Sequence, residues 1–104
     1  MKARKHVGKK MEGEYEIQKY HVVDIDVSEK DIDDVWDYID CDDPEESYMA
    51  YGVAVHYDDM ISFIELDKFI KQIDYYFEED HDMPDWLNDV LAKLRDYSEY
   101  TLYI

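Results

Sequence analysis

At 104 residues the chain has the size of one domain, and its 28 Asp and Glu against 11 Lys and Arg give a net charge of −17. A field of that sign and size weighs against direct binding to nucleic acid or anionic lipid and favours basic protein partners. Forty-six per cent hydrophobic residues and eleven Tyr exclude an acidic disordered tail, and the single cysteine excludes an internal disulfide.

Residues 1–13 carry five of the eleven bases (Lys2, Arg4, Lys5, Lys9 and Lys10), with Gly8 and Gly13 among them. They predict a flexible basic arm. No apolar run of signal-peptide length follows it, and no stretch approaches the roughly 18–20 apolar residues of a membrane span. The expected location is therefore cytoplasmic, in the host cell cytoplasm if the protein is phage-encoded. From Met11 onward 28 acids stand against 6 bases, a net of −22, so residues 14–104 are expected to form an acidic domain.

Residues 14–27 alternate. Tyr15, Ile17, His21, Val23, Ile25 and Val27 fall on one face, with Glu14, Glu16, Gln18, Asp24 and Asp26 on the other. This is the pattern of a half-buried strand. Ser28 and Asp31 then fit a capping box, and Ile32, Val35, Trp36 and Ile39 follow at helical spacing. Pro44 ends that helix. Residues 47–57 are aromatic and β-branched and predict a second strand, with Asp58-Asp59 as a turn. Residues 60–66 predict a third strand. A helix over 67–79 follows, N-capped by Asp67; a single long helix over 60–79 is the rival reading. A further helix begins at Asp82-Met83-Pro84-Asp85 and buries Trp86, Leu87, Val90, Leu91 and Leu94. Residues 99–104 alternate again and predict a closing strand. The order β-α-β-β-α-α-β implies an α+β fold: a mostly antiparallel sheet of three to four strands, with about three helices on one face and acids and tyrosines on the other.

Among the chemistry-bearing residues, the sequence holds no phosphate loop and no nucleophile signature. Counted from Asp24, a calcium loop fails at Glu29, where Gly is needed, and at Val35, where Glu is needed. His6, His21, His56 and His81 lack zinc spacing, although His21 and His56 are placed to meet across strands. Cys41 beside Asp42 and Asp43 has a disfavoured thiolate and suits a small apolar role. No catalytic residue, cofactor or metal site is expected.

The acids, in contrast, are patterned. Four rows are legible: Glu14/Glu16/Asp24/Asp26, Asp31/Asp33/Asp34/Asp37/Asp40, Asp42/Asp43/Glu45/Glu46 and Asp74/Glu78/Glu79/Asp80/Asp82. Carboxylates at i, i+2 on a strand lie about 6–7 Å apart. Those at i, i+3 or i+4 on a helix have Cβ atoms about 5–6 Å apart. Both are close to the spacing of phosphates along a nucleic-acid strand. Tyr38, Tyr48, Tyr51, Tyr57, Tyr75, Tyr76 and Tyr97 lie among the acids and suit interface contacts, including stacking on Arg.

In its size, its composition and the clusters Asp31-Ile32-Asp33-Asp34, Cys41-Asp42-Asp43-Pro44-Glu45-Glu46 and Phe77-Glu78-Glu79-Asp80, the chain resembles the small phage-type inhibitors that act as DNA mimics, the anti-restriction and anti-CRISPR proteins. The resemblance implies a non-enzymatic inhibitor of a host defence nuclease, bound at its cationic nucleic-acid channel. The expected partner-binding residues are Asp31, Asp33, Asp34, Asp37, Asp40, Asp42, Asp43, Glu45, Glu46, Glu78, Glu79 and Asp80. An acidic adaptor that binds a basic protein without displacing nucleic acid is the alternative, and a metal-dependent hydrolase using clustered Asp is a weaker one. A Tyr- and Asp-rich surface also leaves room for a homodimer.

Overall fold

The computed structural model describes residues 1–55, 60–78 and 82–104. Its elements run β1 (Lys2–Glu12), β2 (Tyr15–Asp24), α1 (Glu29–Ile39), α2 (Pro44–Tyr51), β3 (Val53–Val55), β4 (Ile61–Glu65), α3 (Leu66–Glu78), α4 (Asp85–Arg95) and β5 (Thr101–Tyr103). The class is α+β, as the element pattern predicts. The detail differs: among the described residues the sheet has five strands, not three to four, and four helices accompany it, not about three.

The additional strand is β1, within the segment expected to be a flexible arm. Gly13 and Glu14 form a two-residue turn, with Gly13 at φ 63°. A positive φ at a two-residue loop suits a tight hairpin, and Glu12 pairs with Tyr15 directly across it. From there β1 and β2 run antiparallel back to Lys2 and Asp24, with a bulge between His6 and Gly8.

The additional helix is α2, where residues 47–57 predicted a strand. Asp43 accepts from the Glu45 N–H at 3.0 Å as N-cap, Pro44 occupies the first turn, and Gly52 closes the C-terminus at φ 68°. These local signals outweigh the strand preference of the Tyr and Val residues. Only Val53–Val55 remain as strand. The predicted turn at Asp58-Asp59 lies outside the described residues.

The boundary between β4 and α3 is also corrected. The helix begins at Leu66, directly from the strand, and Asp67 sits inside its first turn rather than capping it. Tyr100 supplies a partner for the end instead, its carbonyl accepting from the Leu66 N–H at 3.2 Å. Helix α4 likewise starts without a side-chain cap, at Pro84.

The sheet order is β2-β1-β5-β4-β3, antiparallel throughout. Ala3, Leu102, Ile64 and Val53 align in register across four strands and are fully buried. Against this row the helices deliver Ile32 and Val35 from α1, Phe69, Ile70 and Ile73 from α3, and Leu87, Val90, Leu91 and Leu94 from α4. At about 1.5–3 kcal/mol for each fully buried large side chain, this cluster is the principal source of stability. On the opposite face, Arg4 lies between the rings of Tyr20 and Tyr103, 4.4 and 4.3 Å from their centroids, and Tyr103 is followed by Phe63.

The β1–β2 ribbon outruns this core. β5 pairs with β1 only at Ala3 and Arg4, and every residue of β2 except the half-buried Val23 is exposed. The half-buried strand expected over 14–27 is thus exposed on both faces for most of its length; only Ile25 and Val27, beyond its end, are buried. The projecting ribbon accounts for the elongated shape, 55 × 29 × 24 Å. No helix among the described residues is long and apolar enough to cross a membrane.

Candidate partner-binding site

Charge divides along the same line as shape. Residues 1–24 hold six bases and four acids, a net of +2, while residues 25–104 hold five bases and 24 acids, a net of −19. Seven of the eleven bases pair with described acids: Lys2, Lys5, Lys9, Lys30, Lys68, Lys71 and Arg95. The field of the helical body is therefore left largely uncompensated.

Helix α1 concentrates that field. Its capping box is complete: the Asp31 N–H donates to Ser28 Oγ at 3.1 Å, and the Ser28 N–H donates to Asp31 Oδ2 at 3.0 Å. Ile32 and Val35 face the core. The helical period then turns Asp33, Asp34 and Asp37 outward, all three exposed. Asp40 ends the helix in the left-handed region at φ 54°, ψ 49°, a conformation that Asp tolerates better than most residues. Its N–H still donates to the Trp36 carbonyl at 3.0 Å.

Three clefts open along this helix. One of about 610 Å³ is lined by Trp36, Asp37, Asp40, Cys41, Asp42, Pro44, Ser47 and Val55. A second, of about 300 Å³, shares Trp36 and Asp37 and adds Glu29, Asp33, Met60, Ile61 and Ile104. On the other flank, Asp34, Asp37, Tyr38 and Trp86 border an open depression of about 500 Å³. Asp37 borders all three clefts. Trp36 is held edge-on against Tyr51 at 5.4 Å, and Tyr38 packs against both Phe77 and Trp86. The arrangement is a rim of carboxylates over an aromatic and aliphatic floor.

The expected contact residues fall into groups. Asp37, Asp40 and Asp42 line the first cleft and Asp33 and Asp37 the second. The two clefts adjoin at Trp36 and Asp37 as one groove, and none of these four acids enters an ion pair with a described base. Asp34 pairs with Lys30 at 3.0 Å. Asp31 and Asp43 are engaged as caps, and the Ser28 backbone N–H holds the Asp31 carboxyl below the usual carboxylate range. Glu45 and Glu46 occupy the first turn of α2, where the helix dipole favours them, and both are exposed. Glu78 closes α3 and lines none of the three clefts, while Glu79 and Asp80 lie outside the described residues.

Of the tyrosines, Tyr51 is buried and Tyr97 is packed against the core. Tyr48 meets Phe63 edge-on and receives Lys68 over its ring. Tyr75 is the most open of the described members of this set, at 66% exposure, and Tyr57 lies outside the described residues. Sequence reasoning missed Trp36 as a groove residue, because its helical spacing marks it as core. Its neighbour Asp37 on the opposite phase was the available signal that this stripe ends at a surface.

His21 meets the ring of Tyr100 edge-on at 6.1 Å, and His56, its expected cross-strand partner, lies outside the described residues. Cys41 Sγ is 3.4 Å from Ser47 Oγ, the one buried polar side chain among the described residues, whose hydroxyl also donates to the Asp43 carbonyl at 2.8 Å. Among the described residues no group of three or more His, Cys, Asp or Glu is placed to hold a metal ion. No protein-family model, curated protein or solved structure matches the chain.

Proposed function

We propose that the protein is a non-enzymatic inhibitor that sets its acidic helical body against the cationic nucleic-acid-binding surface of a defence nuclease, a CRISPR effector or a restriction enzyme, in place of DNA phosphates. The observation that carries this reading is the row Asp33, Asp37, Asp40 and Asp42, unpaired with any described base, along the two clefts that adjoin at Trp36 and Asp37, on a body of net charge −19. An Arg- or Lys-lined channel meets there both the charge of a phosphate strand and a fixed spacing. Electrostatic steering gives fast, salt-sensitive association. The apolar floor at Trp36 provides the desolvated anchor that charge alone lacks.

The test is competition for a basic nuclease against its DNA at rising salt, with the quadruple variant Asp33→Asn, Asp37→Asn, Asp40→Asn, Asp42→Asn beside the native chain. Asn tolerates the left-handed position at residue 40, so the fold is retained. The variant should lose at least about tenfold in affinity and show a shallower salt dependence. Equal inhibition by both proteins rules out this groove as the mimic surface.

The same floor favours a second reading, an adaptor that holds a basic segment without displacing nucleic acid. Under that reading Trp36→Ala abolishes binding, the four Asn changes leave most of it, and the bound nuclease keeps its DNA.

A further inference from the structure

The ribbon presents an edge that the body does not cover. β2 is the outermost strand of the sheet, and beyond His6 its hairpin has no third strand beside it among the described residues. Val7, Met11, Tyr15, Ile17, Tyr20 and Val22 are between 43% and 78% exposed. A two-stranded ribbon is marginal on its own in water. Long edge strands are usually blunted by Pro, by a bulge or by several lysines. β2 has no Pro and one Lys, and the bulge of this hairpin lies in β1.

Charge limits what can approach that edge. Two copies brought together anywhere on their bodies oppose two charges of −19. Residues 7–20 are neutral, with Lys9, Lys10 and Lys19 against Glu12, Glu14 and Glu16. The ribbon is thus the surface on which a second copy is not repelled, and an antiparallel pairing there holds the bodies at opposite ends, further apart than the screening length of about 8 Å.

We infer that β2 pairs antiparallel with β2 of a second copy about a two-fold axis at Gln18, joining two five-stranded sheets into one. Side chains directly opposite one another share a face, so the axis must pass through a residue. At Gln18 it aligns residues 15–21 of both copies: Tyr15 faces His21, Glu16 faces Tyr20, Ile17 faces Lys19, and the two Gln18 amides meet. No like charges oppose each other. An axis at Lys19 sets two ammoniums together, one at Tyr20 sets Glu16 against Asp24, and one nearer Asp24 draws the bodies inward. An axis at Ile17 pairs fewer residues.

Sedimentation from micromolar to submillimolar concentration tests this on the full chain. A monomer–dimer equilibrium is expected, tighter at about 1 M than at about 0.1 M NaCl because salt screens the bodies. Gln18→Lys sets two cations on the axis and should weaken dimerisation several-fold at unchanged near-ultraviolet circular dichroism. In a Cys41→Ser background, Gln18→Cys should form a covalent dimer on mild oxidation well before Asn88→Cys on exposed α4. A chain that stays monomeric throughout overturns the inference. So does association that weakens with salt, which marks a ribbon docked on an acidic body, and so does equal cross-linking at positions 18 and 88.

Discussion

The ribbon and the helical body are made from one chain under opposite rules. The body carries −19 and buries a cluster of eighteen described apolar residues, Ala3 included, whereas the ribbon carries +2 and, beyond Ala3, buries none of its side chains. High charge density is compatible with a folded domain when the period of the acids matches the period of the elements, so that every carboxylate has an outward position. In the ribbon, backbone pairing and turn geometry maintain order with little burial. One region is specified by packing, the other by register.

The largest test of this contrast is in packing. Phe69→Ala, at a fully buried site in α3, should cost about 3–5 kcal/mol in urea unfolding. Met11→Ala, at a 60% exposed site near the ribbon tip, should stay within about 0.5 kcal/mol. A comparable loss at both sites would remove the distinction.

Two glycines sharpen it at the level of the backbone. Gly52 and Gly13 share a positive φ, +68° and +63°, but a Cβ at Gly52 would stand 2.8 Å from the Glu65 carbonyl oxygen, while one at Gly13 would meet nothing within 4 Å. Gly13→Ala should therefore cost only conformational strain, about 1 kcal/mol. Gly52→Ala adds a clash and should cost about 2–4 kcal/mol. Thermal melts of the two variants give the ordering.

The smallest expected effect is electrostatic. Two hydrogen bonds of 2.8 Å from the Arg95 guanidinium hold the Asp74 carboxyl below its usual range and tie α3 to α4. Because the folded pKa is depressed, the contribution is complete above the unfolded value near 4 and is lost as pH falls through the folded one. Both side chains are more than two-fifths exposed, so it amounts to less than about 1 kcal/mol. The stability difference between the native chain and Arg95→Gln should be constant above about pH 5 and vanish in stronger acid. Lys9→Gln, which breaks the 3.6 Å pair with Glu16 on the ribbon, should change stability by no measurable amount.

Much of the body was legible in the sequence because its signals are local. The Ser28–Asp31 box and the Ile32/Val35/Ile39 spacing place α1, and the Leu87/Val90/Leu91/Leu94 stripe places α4. β1 was not legible, since its alternation of Lys, Arg and His with small residues carries no apolar stripe. It becomes a strand only through β2 and β5, partners supplied by the rest of the chain. α2 is only half legible: Asp43-Pro44-Glu45-Glu46 is a helix-start signature, but Pro44 is equally a stop for α1, and the β-preferring residues after it point to a strand. At the groove, the outward acids follow from the helical period. The convergence of Trp36 with Ile61 and Ile104 does not, because it depends on how distant segments meet.

β5 is only three residues long, yet it lies in the middle of the sheet and is the latest of the five strands in sequence. The hairpins β1–β2 and β3–β4 each pair neighbours in sequence, but only β5 joins them, and Thr101–Tyr103 follows α3 and α4 in the chain. During synthesis β1 and β4 therefore lack their central partner until the end of this sequence has been made. In that interval the repulsion of so many carboxylates works in the chain's favour, keeping unfinished chains apart until the last strand arrives.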